Sequence, residues 1–312
     1  MRRRGLHLGA AAAILLASLV AAVGAWDTPG ALSDWQAFVL GVVQGLTELL
    51  PISSSGHLIL VPWLDDWTYL ETHPAFNKTF DVSLHLGTLV AVAVYFRHDI
   101  VSLTRAWLGS VRRRRIATTD ERTAWFVFAA TIPAALAGAV GESFVEKRLG
   151  EPWQIAIFLA VFGVVLWLAD RLPERKQIAG LSLAQAVAIG IAQAAALAPG
   201  VSRSGITITA GRFLGLDRDS AARFSFFLLV PIVLGAVLLK GWTDVIGGDL
   251  PPGWAGPFLV GTLAAAGSGL FAIDALLGYV RRHDYSVFVL YRLAVAVFVL
   301  ALIASGVRDA TF

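Results

Sequence analysis

Along the chain, apolar residues gather into long runs rather than alternating with polar ones. Seven runs, at about 9–25, 82–96, 123–140, 153–170, 223–240, 257–277 and 285–303, approach or exceed the length a helix needs to cross about 30 Å of hydrocarbon. The shortest of them is marginal as a span. Two further apolar stretches, 35–65 and 183–215, are interrupted at their centres by Pro51-Ile52-Ser53-Ser54-Ser55-Gly56 and by Pro199-Gly200-Val201-Ser202-Arg203-Ser204-Gly205. Irregular backbone at membrane depth survives only where protein or a water-filled cavity satisfies its polar groups. Each interrupted stretch therefore predicts a re-entrant pair of half-helices, and the chain as a whole predicts an all-α polytopic membrane protein. The first run, Arg-rich and then Ala/Leu-rich with small residues at 22–25, has the form of a secretory signal. We read it as an uncleaved extra helix, because nothing after it looks extracellular and soluble. The expected organisation is an N-terminal extension over 1–32 and one membrane domain over 33–312.

Composition agrees with the pattern. Of 312 residues, 57% are hydrophobic and 15% charged, with a mean hydropathy of +0.71, too little charge for a water-facing surface. The absence of cysteine excludes disulfides, thiolate metal sites and a cysteine nucleophile. A net charge of +3 and a pI near 9.4 would suit nucleic acid in a soluble chain, but here loop Arg and Lys set orientation. If 1–8 is cytoplasmic and both interrupted segments return to their own side, 97–122, 171–178, 212–223 and 281–284 are cytoplasmic too. Those stretches hold eighteen of the twenty-five basic residues, against five on the other side: Lys78, Lys147, Arg148, Lys240 and Arg308. Arg203 and Arg292 are left over, inside the membrane.

The two interrupted segments are related. At a constant offset of 149, Gln36–Ile59 and Gln185–Ile208 share eight identities in twenty-four pairs, including Gln44/Gln193, Ser53/Ser202, Ser55/Ser204 and Gly56/Gly205. Shared hydrophobicity does not place Gln, Ser and Gly in register. Three crossings separate the segments and three follow the second, and an odd number inverts the second unit. The expectation is two inverted-topology repeats, about 33–170 and 182–304, each a broken helix pair plus three transmembrane helices. Their interruptions then meet near the midplane, where half-helix N-termini build an anion site.

Gln44 and Glu48 are four apart and share one face of the half-helix that Pro51 ends. An ionised Glu inside a membrane costs about 2.5–3.5 kcal/mol on insertion scales, so it has a partner or a purpose. His57, beside the same break, suits a general acid or a phosphate ligand. Arg203 stands at the position of Ser54 in the other repeat, and its guanidinium fork matches phosphate oxygens. An Arg203–Glu48 ion pair that locks the repeats together is the plain alternative. Asp81, His85, Asp274 and Arg292 are weaker candidates, for which snorkelling or capping roles suffice. The basic run Arg112–Arg115 could also meet anionic lipid, though an orientation signal is enough to account for it.

From about residue 33 onward the chain resembles the undecaprenyl-diphosphate phosphatases, also called bacitracin resistance proteins. One motif of that family reads here as Gln44-Gly45-Leu46-Thr47-Glu48, running into Leu49-Leu50-Pro51-Ile52-Ser53-Ser54-Ser55-Gly56-His57. The other reads Pro199-Gly200-Val201-Ser202-Arg203-Ser204-Gly205-Ile206-Thr207. The resemblance implies hydrolysis of undecaprenyl diphosphate to the monophosphate and phosphate, which regenerates a lipid carrier for wall polymers and underlies bacitracin resistance. It further implies a site opening to the outer face of the bacterial cytoplasmic membrane, assisted by Mg²⁺ or Ca²⁺. Gln44 stands where many members have Glu, so Glu48 alone would supply the anionic metal ligand. Glu48, Ser54, His57 and Arg203 are the expected catalytic residues. Gln44, Ser53, Ser55, Gly56, Ser202, Ser204, Gly205 and Thr207 are expected to hold phosphate. Two routes fit: attack by Ser54 with His57 as acid, or a water activated by Glu48 and His57. The competing class is a flippase or transporter of undecaprenyl phosphate or phosphate, since broken inverted repeats also build transporters. Membrane lipids surround such a chain, nucleic acid has no place in it, and its spans could pair with a second copy.

Overall fold

A computed structural model describes residues 2–24, 32–246, 250 and 253–311, and among these every regular element is a helix. The far end of the first apolar run and the side chains of Arg2 to Arg4 and Lys240, used in the charge argument, lie outside the described residues. The first helix, α1, is Arg2–Gly24; α2 (Asp34–Leu49) and α3 (Ser54–Leu64) follow, then a short turn, α4 (Tyr69–Thr72). Next come α5 (Pro74–Tyr95), α6 (Arg97–Arg113), α7 (Thr119–Arg148) and α8 (Pro152–Asp170). The second half holds α9 (Leu183–Gln193), α10 (Arg203–Phe213), α11 (Arg218–Lys240), α12 (Ala255–Val280) and α13 (Ser286–Ala304). Five of these are long and apolar enough to cross a membrane: α7 as far as Gly141, α8, α11 running on to Thr243, α12 and α13. The pair α5 and α6 qualifies jointly as a sixth but is bent by 86°. This is the architecture of a multi-pass membrane protein.

Both interrupted segments break where expected. At about 1.5 Å rise per residue, α3, α9 and α10, with 11 residues each, reach only about halfway through a 30 Å hydrocarbon core. Local chemistry sets their ends. Ser33 caps α2 and Ser182 caps α9, each in a reciprocal capping box with a glutamine three residues on, Gln36 and Gln185. Ser33 and Ser182 are also 149 apart, so the sequence repeat extends to its helix caps. Pro51 follows the end of α2, and a short 3-10 turn, Ala194–Leu197, leads α9 to Pro199.

The helix α12 is the centre of the bundle, with small residues from Gly261 to Gly269 that let neighbours come close. The backbone of α2 crosses it at Gly41, against the Gly261 carbonyl and Ala264, and at Gly45, against Ser268 and the Ala265 carbonyl. A methyl group at either glycine would overlap these atoms. On another side α1 packs Ala11 and Leu15 against Gly267.

Charged residues collect at the two ends of the bundle. At one end Asp170, closing α8, accepts from Arg212 of α10 at 3.1 Å and from Arg218 of α11 at 2.8 Å, and also from the Tyr285 amide that opens α13. Arg212 is 1% exposed and donates to the backbone carbonyls of Asp170 and Leu172 as well. Arg212 thus lies at the end where the basic stretches gather and also locks α8 to α10 there. Arg281 reaches Asp219, the Arg223 guanidinium lies over Phe96, and His7 packs on Tyr95 at the same end. All five stretches that the charge rule grouped together therefore have residues here. At the other end, Trp63 of α3 bonds the Asp309 carbonyl, Arg308 pairs with Asp66, and Asp34 of α2 lies against Gly256 of α12.

The stretch 97–122 differs from the loop expected of it. It contains the 17-residue α6, whose Ile100, Leu103 and Trp107 face the apolar sides of α7 and α11, while Arg97, Arg105 and Arg113 lie on another face beside the start of α7. Apolar residues at helical spacing make this a surface helix even though its arginines disguise it in a hydropathy profile.

Candidate active site

The two breaks adopt the same backbone. Ser53 has φ 78° and Ser202 has φ 76°, a left-handed state that non-glycine residues rarely hold, at positions 149 apart. Each serine caps the following half-helix by accepting a bond from the glycine three residues on, Gly56 at 3.4 Å and Gly205 at 3.0 Å. The breaks are also stitched together. The Gly200 amide donates to Ser53 Oγ at 3.1 Å, and Ser204 Oγ donates to the Leu50 carbonyl at 3.0 Å. Ser55 and Ser204 lie within hydrogen-bonding reach of their own caps, Ser53 and Ser202.

Arg292 fixes both breaks from α13. It is 0% exposed, and its guanidinium donates to the carbonyls of Gly200 at 2.9 Å, Val201 and Pro51 at 3.2 Å, and Leu159 at 2.9 Å. The Pro51, Gly200 and Val201 carbonyls lie in the breaks, outside any helix, and the bond to Leu159 ties them to α8. The sequence reading gave Arg292 a snorkelling or capping role; here it reaches inward and clamps both breaks.

Above this scaffold stands Glu48, 5% exposed, at the end of α2. Its Oε1 accepts from Arg203 Nη2 at 2.8 Å, and its Oε2 accepts a short bond from Ser54 Oγ. Ser54 and Arg203 are the first residues of α3 and α10, so one carboxylate holds the N-termini of two half-helices. Gln44 Nε2 reaches Glu48 Oε2 at 3.5 Å, and Gln44 Oε1 is buried with no partner among the described residues. Arg203 is oriented by donating Nη1 to the Ser225 carbonyl at 2.8 Å, while Thr207 bonds Ser225 Oγ and the Arg203 carbonyl and so supports that arrangement.

His57 lies one turn beyond Ser54. Its Nδ1 donates to the Ser53 carbonyl at 2.7 Å, and its Nε2 pairs with the Tyr291 hydroxyl at 2.8 Å, the two rings being stacked. Tyr291 belongs to the site although nothing in its local sequence marks it, apart from its place beside Arg292. His85 belongs to it as well: Nε2 stands 3.6 Å from Glu48 Oε2, and the ring is fixed by a bond from Nδ1 to the Asp81 carbonyl at 2.7 Å. Spacing along α5 gave no sign of this, because the contact is made with another helix. Asp274 lies elsewhere, lining a separate cavity with His7, Tyr95 and Arg223.

Glu48, Ser54, Arg203, Gln44 and His85 thus share one network. Within it a hydroxyl is bonded to a base and a guanidinium is held at a helix N-terminus, which together equip the site to bind an anion and transfer its phosphoryl group.

Comparison with known proteins gives the same direction. The family model described as bacitracin resistance protein BacA matches residues 37–298. A protein of Geobacter sulfurreducens named undecaprenyl-diphosphatase is 47% identical over 267 residues, 85% of this chain and 96% of its own. Proteins of the same name from Moorella thermoacetica and Pelobacter propionicus are 45% and 43% identical over 268 and 273 residues, covering 96% and 97% of their lengths. With the match spanning both breaks and every residue of the Glu48 network, this chain belongs to the bacitracin resistance protein BacA family.

Proposed function

We propose that the chain is an integral-membrane phosphatase that hydrolyses undecaprenyl diphosphate to undecaprenyl phosphate and phosphate, recycling the carrier lipid and supporting bacitracin resistance. Family membership carries the substrate, and the bond from Ser54 Oγ to Glu48 Oε2 carries the mechanism.

Ser54 is the nucleophile. Glu48 takes its proton as Oγ attacks the terminal phosphorus, and the bond from that phosphorus to the bridging oxygen breaks. Arg203 and the amides opening α3 and α10 neutralise charge on the transferred oxygens. His57, held by Ser53 and Tyr291 and entering as the imidazolium, protonates the departing undecaprenyl phosphate; the neutral ring then takes a proton from the water that attacks the phosphoserine, and Glu48 returns its proton to Ser54 Oγ as phosphate leaves. Ser53, Ser202 and Ser204 hold the breaks in shape, and Gly56 and Gly205 let backbone amides approach the diphosphate. Ser55 and Gln44 complete the phosphate cradle, and Thr207 steadies Arg203.

A Mg²⁺ or Ca²⁺ ion would be held by the Glu48 carboxylate and the Gln44 Oε1, hard oxygen ligands that would need diphosphate oxygens and water to complete the shell, since among the described residues no cluster of three His, Asp or Glu side chains is gathered for a metal. Such an ion, when bound, would neutralise diphosphate charge. A passive flippase would have no need of a serine bonded to a carboxylate.

We also infer two inverted repeats within one membrane domain over 33–312. Supporting this, Asp34 of α2 and Trp63 of α3 sit at one end of the bundle, whereas Lys176, bonded to Gln185 of α9, and Arg212 of α10 sit at the other. The excess of basic residues at the Arg212 end supports a cytoplasmic placement of that end, with the Ser54 break reached from the outer side of the inner membrane.

Phosphate release from undecaprenyl diphosphate by purified protein in detergent, where transport has no meaning, tests the proposal. The wild-type chain is expected to turn over, and Ser54→Ala to lose about 10⁴-fold or more. Turnover by Ser54→Ala near the wild-type rate would remove the serine route.

A further inference from the structure

The helix α6 plays no part in the site, yet it carries a dense positive charge. It leaves α5 at 86° and therefore lies across the direction of the spans, with Val101, Leu108 and Val111 exposed among its arginines. Between α6 and the N-terminus of α7 is a cavity of about 880 Å³ lined by Arg97, His98, Arg105, Arg113, Thr118 and Asp120. The acids nearby are already engaged: Asp120 accepts from Ser102 at 2.7 Å, and Glu121 pairs with Arg113 and the amides of Ala117 and Thr118. Among the described residues, Arg97 and Arg105 have no carboxylate partner. On the neighbouring face of α6 is a second cavity, of about 370 Å³, apolar and lined by Ile100, Leu103, Trp107, Val127, Phe128 and Val230.

We propose that α6 and the start of α7 form a binding site for an anionic phospholipid, separate from the phosphatase site. Its phosphate sits among Arg97, Arg105 and Arg113 beside the opening of α7, and an acyl chain lies in the apolar groove against Trp107 and Phe128. The pairing selects the ligand. An anion alone would use the basic cavity but not the groove, and a neutral lipid would use the groove but leave unpaired arginines in place. Basic pockets beside transmembrane helices bind anionic head groups. The cluster Trp107, Trp125 and Phe128 supplies the aromatic surface found where membrane meets water.

The test is native mass spectrometry of the full chain in detergent, offered equal amounts of phosphatidylglycerol and phosphatidylcholine. Wild-type protein is expected to retain phosphatidylglycerol at least fivefold more. The double variant Arg97→Gln/Arg105→Gln should lose that preference while keeping wild-type phosphatase turnover, which reports an intact fold. Arg112→Gln/Arg114→Gln removes the same charge from the same region outside the cavity and should keep the preference. Equal loss in both double variants would replace the site with a diffuse field, and no preference in the wild type would overturn it outright. Displacement of the lipid by millimolar inorganic phosphate would reduce it to a simple anion site.

Discussion

The two breaks share a backbone and differ in chemistry. Ser53 and Ser202 hold nearly the same positive φ and cap equivalent glycines, Gly56 and Gly205, and Ser53 and Ser204 make the bonds across the gap. Yet Glu48 faces Leu197 across the repeat, Ser54 faces Arg203, and His57 faces Ile206. The first break carries the carboxylate, hydroxyl and imidazole; the second carries a fixed cation. The repeat brings two helix N-termini to one carboxylate, and under the proposed mechanism the first break supplies the reacting groups and the second the positive charge. Glu48 joins the halves by bonding the first residue of each half-helix.

The comparison can be broken by exchanging residues between the repeats. Glu48→Leu, which gives the first break the second's residue, should abolish turnover, and Arg203→Ser should lower it by about 10³-fold or more. Removing one partner of a buried pair also costs about 3–5 kcal/mol, so unfolding midpoints should be measured with the rates. An active, folded Glu48→Leu would show the halves to be interchangeable. A smaller effect is expected of Tyr291→Phe, which removes one hydrogen bond to His57. At about 1 kcal/mol, kcat should fall roughly three- to tenfold with KM little changed. The smallest effect separates two identical residues. Gln44 bonds Glu48, whereas Gln193 is buried and neither amide atom finds a partner among the described residues. Gln193→Leu should leave kcat unchanged and raise the unfolding midpoint, because a buried unpaired polar group is costly. Gln44→Leu should lower kcat. Equal losses from the two would contradict the division of labour.

Much of this was legible in the sequence because it rests on local rules. Run lengths marked the five spans α7, α8, α11, α12 and α13, though α1 and α5 do not by themselves combine the length and apolarity of a span; Pro51 and Pro199 marked the breaks, and the register of Ser, Gly and Gln exposed the sequence repeat. The meeting of Glu48 with Ser54 and Arg203 followed from that repeat. Arg292 was illegible in its role because its partners are backbone carbonyls, which no side-chain pattern reveals. His85 and Tyr291 were hidden for a related reason: each acts on a helix distant in sequence, and its spacing along its own helix says nothing of that neighbour. The helix α6 was taken for a loop because its arginines outweigh its apolar stripe in any average over the segment.

The central claim is that Ser54, activated by Glu48, takes the phosphoryl group. A single turnover in ¹⁸O-labelled water, quenched in acid and followed by mass analysis of the peptide carrying Ser54, tests it most directly. The account expects a phosphoserine at Ser54 and unlabelled undecaprenyl phosphate, with ¹⁸O appearing only in the released phosphate. Released phosphate labelled in the first turnover with no phosphoserine at any quench time, even in a slowed Arg203→Lys variant, would contradict it and assign the attack to water.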